Sequence, residues 1–317
     1  MRFGSLFVVL AAASLTGCYV PFAISDVVKD PTDGAVDTDV TGSMDTPDTD
    51  ANSEDSAAPV NEDTATPPVE DTDVPPPPAD DCTVTSDLIY LLERDTQGLY
   101  LFDPATLTST RLGRLACTSG ATPASMAVAR DGVAYVRYSN DVVYEVDLVT
   151  LACTATSYSP GATAFGSFGM GFATDSAGTW MDHLYVANFH RLAQLDTTSW
   201  QGQVIGAVPS QSELTGNSRG ELWAFFPLER PARLSQLDKA TGAESNSINL
   251  SGFPAAIDID TFAFAAWGGD FWLFVRTYGV GSSTDVYRVH NGRMTMELPR
   301  MGFDVVGAGV STCSPTP

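Results

Sequence analysis

The chain has 317 residues and a formal charge of −23, from 39 Asp and Glu against 16 Lys and Arg. The acid is unevenly placed: residues 26–81 hold 14 Asp and 3 Glu against one Lys, which leaves residues 82–317 at only −8. With no basic patch the composition argues against nucleic acid as a partner, because phosphate binding needs Lys and Arg to displace counterions.

Residues 1–17 have the layout of a secretory signal, with Arg2 ahead of an apolar run from Phe7 to Leu15. The run is too short for a spanning helix of about 20 apolar residues. It closes on Leu15-Thr16-Gly17-Cys18, which resembles the lipobox of bacterial lipoproteins. That resemblance implies cleavage before Cys18, acylation of its thiol, and a membrane partner reached through the acyl chains, each buried methylene adding about 0.8 kcal/mol. Tyr19 stands where an Asp would retain such a protein at the inner membrane, so the implied address is the outer membrane.

Residues 18–81 read as a lipidated, disordered tether. From about Ser25 the stretch is built of Asp, Thr, Pro, Ala and Val and ends in Pro75-Pro76-Pro77-Pro78. Without aromatics and with like charges repelling, it cannot bury enough surface to offset its ordering entropy. About 60 such residues reach roughly 45 Å r.m.s. as a flexible coil. Asp37-Thr38-Asp39-Val40-Thr41-Gly42, with Asp48 at the twelfth position, half-resembles a calcium loop. It lacks the bidentate Glu and flanking helices of a true one, so solvated spacer is the preferred reading.

Residues 82–317 are organised around a recurring strand that ends in Asp and enters a turn. Its copies are Leu99–Asp103, Val143–Asp147, Leu192–Asp196 and Leu234–Asp238, with Val286–Val289 as a fifth in which His290 replaces the Asp. Spacings of 44, 49 and 42 residues between the aspartates mark a repeat architecture. Ahead of each copy lies an apolar strand: Leu88–Leu92, Ala134–Val136, Leu184–Val186, Leu222–Phe225 and Phe271–Phe274. Upstream again is a small-residue strand, at 126–129, 169–173, 214–216 and 262–266, and a polar strand follows the turn, as at Thr108–Leu112 and Ser245–Leu250. Four antiparallel strands per unit of about 47 residues describe a β-propeller blade. Small residues suit strands that crowd a central axis. The first blade lacks its inner strand, and Val305–Val310 supplies it from the far end, closing the ring and removing an exposed edge. The fold class expected is therefore all-β, a single propeller of five blades, with six the next count.

In style this region resembles secreted bacterial propeller repeats of the YVTN and NHL kind, and the whole layout is similar to that of myxobacterial-type lipoproteins. With Cys18 acylated, four cysteines remain, and an exported compartment permits disulfides. Cys82 immediately precedes the first blade and Cys313 follows the closing strand, so these two should pair. That leaves Cys117 to pair with Cys153 across neighbouring blades.

The sequence supplies no nucleophile elbow and no phosphate-cradling loop, and no catalytic residue is assigned. His183, His190 and His290 read as surface turn residues. Glu213, Asp260 and Asp304 each stand one or two residues ahead of an inner strand, in three successive blades, where a channel mouth would gather them. Three carboxylates there could hold calcium or magnesium, as in lactonase-type propellers, which makes a divalent-cation-dependent hydrolase the alternative function. Phe165 and Phe168 in a glycine-rich stretch and Trp267 in an aromatic hairpin are the candidate binding residues, although packing between blades is the preferred reading of all three. The preferred reading is a monomeric, outer-membrane-anchored binding or scaffold module for a protein, peptide or glycan.

Overall fold

Alternating apolar residues bounded by Gly, Asp and Asn turns give twenty strands among the described residues of a computed structural model. Those residues are 82, 87–118, 120–160, 165–279 and 281–315; Cys18, the tether and the Asp37–Asp48 loop lie outside them. The strands form five four-stranded antiparallel sheets, each running from the axis outward. Blade 1 is β20 (Val305–Gly309), β1 (Ile89–Glu93), β2 (Gly98–Asp103) and β3 (Thr108–Arg114). Blade 2 is β4 (Pro123–Val128), β5 (Val133–Tyr138), β6 (Val143–Asp147) and β7 (Cys153–Ala155). Blade 3 is β8 (Gly169–Thr174), β9 (Asp182–Ala187), β10 (Arg191–Leu195) and β11 (Gly202–Ala207). Blade 4 is β12 (Glu213–Gly216), β13 (Leu222–Phe226), β14 (Arg233–Leu237) and β15 (Glu244–Asn249). Blade 5 is β16 (Ile259–Trp267), β17 (Asp270–Thr277), β18 (Asp285–His290) and β19 (Arg293–Leu298). Five is the blade count, and the C-terminal strand completes the first blade: β20 pairs with β1 from Tyr90↔Gly309 to Glu93↔Val305.

The recurring Asp is a turn device. In the first four blades its carboxylate accepts from the backbone N–H groups two and three residues on, as in Asp196 with Thr198 (3.1 Å) and Ser199 (2.6 Å). Its own carbonyl accepts from the residue four on, at 2.8 Å each time: Leu107, Leu151, Trp200 and Gly242. Those four residues sit at φ 57°, 60°, 57° and 76°. The fifth blade replaces this turn with a two-residue Asn291-Gly292 hairpin, both at positive φ (48° and 75°), the chemistry of a type I′ turn. No Asx acceptor is needed there, and His290 Nδ1 instead meets Asp270 Oδ1 at 2.6 Å.

Apolar side chains form five clusters, one in each seam between neighbouring blades, rather than one central core. Aromatic pairs cross the seams, for example Phe102 edge-on to Trp272 (5.7 Å) and Tyr135 to Phe172 (5.5 Å). Around the axis the five inner strands stand side by side, so close that side chains have no room. A Cβ on Gly171 would lie 2.6 Å from the Leu214 carbonyl oxygen, and one on Gly216 would lie 2.2 Å from that of Phe172. The axis itself leaves a void of about 10 Å³ between Met126, Met170, Leu214 and Ala308, too little for a solvent channel.

Both expected disulfides are present. Cys82–Cys313 spans 231 residues with Cα atoms 6.1 Å apart, and Cys117–Cys153 spans 36 residues at 5.1 Å. Residues 311–315 lie against the end of the axis where the inner strands finish. Thr312 Oγ1 donates to Asp182 (2.7 Å), Gly268 N donates to the Pro315 carbonyl (2.9 Å), and Ser311 and Thr312 are buried. The lower end of the ring is thus stoppered by the chain itself.

Candidate functional site

The upper end, where the inner strands begin, stays open as a cavity of about 250 Å³ lined by Arg94, Arg137, Gln211, Glu213, Asp260 and Thr261, with Phe262 and Val306 as its apolar wall. Three β-bulges shape it. In blades 1, 2 and 5 the inner strand carries one residue more than its partner at this end: Val306 between Val305↔Glu93 and Gly307↔Leu92, Ala124 between Pro123↔Tyr138 and Ser125↔Arg137, and Asp260 between Ile259↔Thr277 and Thr261↔Arg276. All three extra residues line the cavity. A bulge re-aims the residue it inserts, and here the three face the mouth.

Two of the three predicted carboxylates meet here, but their partners are arginines. Asp260 Oδ2 is 3.1 Å from Arg94 Nη1 and is also paired with Arg276 Nη1. Asp304 lies 2.8 Å from Arg94 Nη2 and 3.0 Å from Arg276 Nε. The result is a closed ring of two cations and two anions joining blades 1 and 5. Glu213 stands apart from it. It is the first residue of β12, 5% exposed, and accepts from Ser125 Oγ at 2.8 Å. Burial pushes its carboxyl up to about 8, with the Ser125 hydrogen bond and the Arg137 charge opposing that shift. Among the described residues no group of three His, Cys, Asp or Glu side chains is arranged to hold a metal ion. The carboxylates invoked for calcium or magnesium are therefore held by guanidinium groups, or, for Glu213, by a serine and burial.

Arg137 sits beside Glu213 and is fixed from several sides. Nε donates to the Phe168 carbonyl (3.0 Å), Nη1 to the Tyr138 carbonyl (3.3 Å) and Nη2 to Ser167 Oγ (3.4 Å), with the guanidinium 5.4 Å over the Phe168 ring. Desolvation lowers its pKa, and the neighbouring Glu213 and Asp141 work against that.

The candidate aromatic residues pack against the fold, as the packing reading has them, and do not line the mouth. Phe165 (0% exposed) and Phe168 (1%) are in the seam between blades 2 and 3, where Phe168 packs edge-on to Tyr158, so neither ring faces solvent. Trp267 is at the opposite end of blade 5, beside Ser314 and Pro315, next to a void of only about 20 Å³. His183 lies within β9 rather than in a turn, held by Gln194 (2.9 Å) and Asp175 (2.7 Å). A wider cleft of about 330 Å³ between blades 2 and 3 carries the half-exposed Trp180 and Met181 at the lower rim. Its polar groups serve the fold: Arg130 donates to the Trp180 carbonyl (2.5 Å), and Asp182 accepts from Thr312.

The residues that sequence reasoning missed are the arginines. Arg94 follows β1, Arg137 is in β5 and Arg276 in β17, each near the upper end of the second strand of its blade. The signal was present: Val136-Arg137 and Val275-Arg276 each put a cation at the end of an otherwise apolar strand.

No family model matches the sequence, and no curated protein matches it. Among solved structures, the chain is similar to a protein of unknown function from Bacteroides caccae, at 10% identity over 71% of this chain and 98% of that one, with a TM-score of 0.42. A structural genomics protein of unknown function from Bacteroides thetaiotaomicron matches at 12% identity over 72% and 61%, with a TM-score of 0.42. A chain of the mitotic checkpoint complex matches at 12% over 71% and 81%, with a TM-score of 0.37. The propeller itself is established by the strand pairing.

Proposed function

We propose that this protein is an envelope lipoprotein, anchored through Cys18 at the outer membrane, whose propeller is a binding module with the upper mouth as its ligand site. The observation that carries the binding reading is the contrast between the two ends of the ring. The lower end is closed by residues 311–315, while the upper one holds a cavity of about 250 Å³ with polar groups aimed inward over an apolar wall. Concave sites of about this size, mostly pre-formed and with a few placed polar groups, are where small ligands or the ends of larger ones bind. The anchor rests on the lipobox resemblance of Leu15–Cys18.

Thermal melting of the full chain against a panel of sugars, peptides and organic acids tests the binding reading. A ligand whose stabilisation is lost on Gln211→Ala supports it, and stabilisation insensitive to every mouth substitution refutes it. Labelling with an alkynyl fatty acid tests the anchor: incorporation abolished by Cys18→Ser is expected, and label retained in that variant overturns it.

A further inference from the structure

We infer that the cleft of about 330 Å³ between blades 2 and 3 is the docking site of this chain's own proline run, Pro75–Pro78. Tyr135 and Phe172, their rings 5.5 Å apart, are buried in its wall, while Trp180 and the adjacent Met181 stay about half exposed. Large apolar side chains gathered beside a concavity, unlike singly scattered ones, mark an interaction site. Grooves lined with aromatic rings are how polyproline segments are held. The left-handed proline helix arrives preformed, so docking it costs little ordering entropy.

The place where the chain enters the propeller selects the occupant. Cys82 is the first described residue, and its disulfide holds its Cα 6.1 Å from that of Cys313. Cys313 Sγ lies 3.7 Å from Arg130 Nη2, and the neighbouring Thr312 donates to Asp182 at 2.7 Å. Arg130 and Asp182 are both walls of the cleft, so the chain enters at the cleft's edge. Pro78 stands four residues ahead of Cys82, which keeps it within about 14 Å of the Cys82 Cα however the chain runs, and Pro75 within about 25 Å. The chemistry matches as well. Four prolines offer ring faces and carbonyl acceptors but no N–H donor, and Trp180 presents a ring face and a donor-only indole N–H. A short linker holds such a run at an effective concentration of about 1 mM, enough to fill a groove whose affinity for the free peptide is about 0.1 mM. The inference does not depend on the reading of the mouth.

The test is photocrosslinking in the full chain, with Val74, just ahead of the run, replaced by p-benzoylphenylalanine. Cross-links are expected on Trp180 and Met181. Replacing Pro75, Pro76, Pro77 and Pro78 by Ser leaves the chain length unchanged and should lower their yield about fivefold or more. Equal yields mean that proximity alone brings the segment there, and overturn the inference. A second measurement is free of the label: a peptide of residues 72–81, which has no aromatic residue, is titrated into the full chain and into its serine variant and followed by tryptophan fluorescence. The serine variant, its groove vacated, is expected to bind about tenfold more tightly, the ratio set by a competitor at about 1 mM on a site of about 0.1 mM. Trp180→Ala in that variant should abolish binding at an unchanged melting temperature. Equal affinity for both proteins overturns docking of the chain's own run and leaves the groove to a separate proline-rich partner. No binding to the serine variant at millimolar peptide overturns the polyproline reading itself.

Discussion

Glu213 should make the stability of this propeller fall as pH rises through the neutral range. Its carboxyl has an ordinary value of 4.5 and is pushed up to about 8 in the fold, mainly by burial. Between those values the folded chain holds a proton that the unfolded chain has released, so unfolding gains on folding by somewhat over 1 kcal/mol per pH unit. The contribution is whole below the unfolded value and is lost as pH climbs through the folded one. From about pH 5 to pH 8 the loss amounts to roughly 4 kcal/mol, a large share of a typical domain's stability. Glu213→Gln keeps an acceptor for Ser125 Oγ and cannot ionise. Urea unfolding of both proteins across that range should show the variant gaining on the wild type toward high pH, with equal m-values. If the two lines run parallel, Glu213 titrates normally and the account of its burial is wrong.

Other expectations follow from the geometry of the ring. Replacing Cys82 and Cys313 by Ser opens a 231-residue loop, which the loop-entropy model puts at about 5 kcal/mol against about 4 for the Cys117–Cys153 pair; equal losses in urea unfolding would contradict it. Gly171→Ala places a Cβ 2.6 Å from the Leu214 carbonyl and should cost about 1–3 kcal/mol by overpacking, whereas Gly166→Ala meets only Asp141 at 3.6 Å and should melt like wild type. Arg276→Met leaves Asp260 and Asp304 with one guanidinium between them; about 2 kcal/mol should be lost, the buried-pair value discounted for partial exposure, and an unchanged melting temperature would show the ring to be ornamental. The turn aspartates oppose Glu213 in sign. Hydrogen bonds from Thr150 and Ser199 hold Asp147 and Asp196 below their ordinary 3.8, so their support is full above that value and fades in acid. Asp196→Asn should therefore lose least, relative to wild type, at the acid end of a pH series.

Much of the architecture was legible because it is local chemistry repeated. An Asp that caps its own turn must be followed by small polar residues and a left-handed position, so Asp103-Pro104-Ala105-Thr106 and its copies read clearly from the chain. Inner strands that touch across an axis must be small, which exposed Gly169–Ala173 and, at the far end, Val305–Val310. From these the closure of blade 1 and both disulfides followed. The turn copy that broke the rule, His290, broke it because a different turn had been installed there, and Asn291-Gly292 announces that turn as plainly as Asp announces the other.

The mouth was only half legible, and the reason lies in register. Counting along a strand places residues on alternate faces, and a β-bulge adds one residue and reverses the count beyond it. Ala124, Asp260 and Val306 are such residues, and a bulge leaves no mark in one sequence comparable to a turn glycine. Asp260 was therefore placed ahead of its strand when it is an insertion within it, and the arginines opposite went unseen. Three carboxylates near three strand starts suggest a cation until their distances to Arg94 and Arg276 are known; with those, the same positions become a salt-bridged ring beside a separate buried acid. The most conspicuous repeat of this chain is thus its scaffold, and the mouth cavity lies where the inner strands of blades 1, 2 and 5 depart from the repeat.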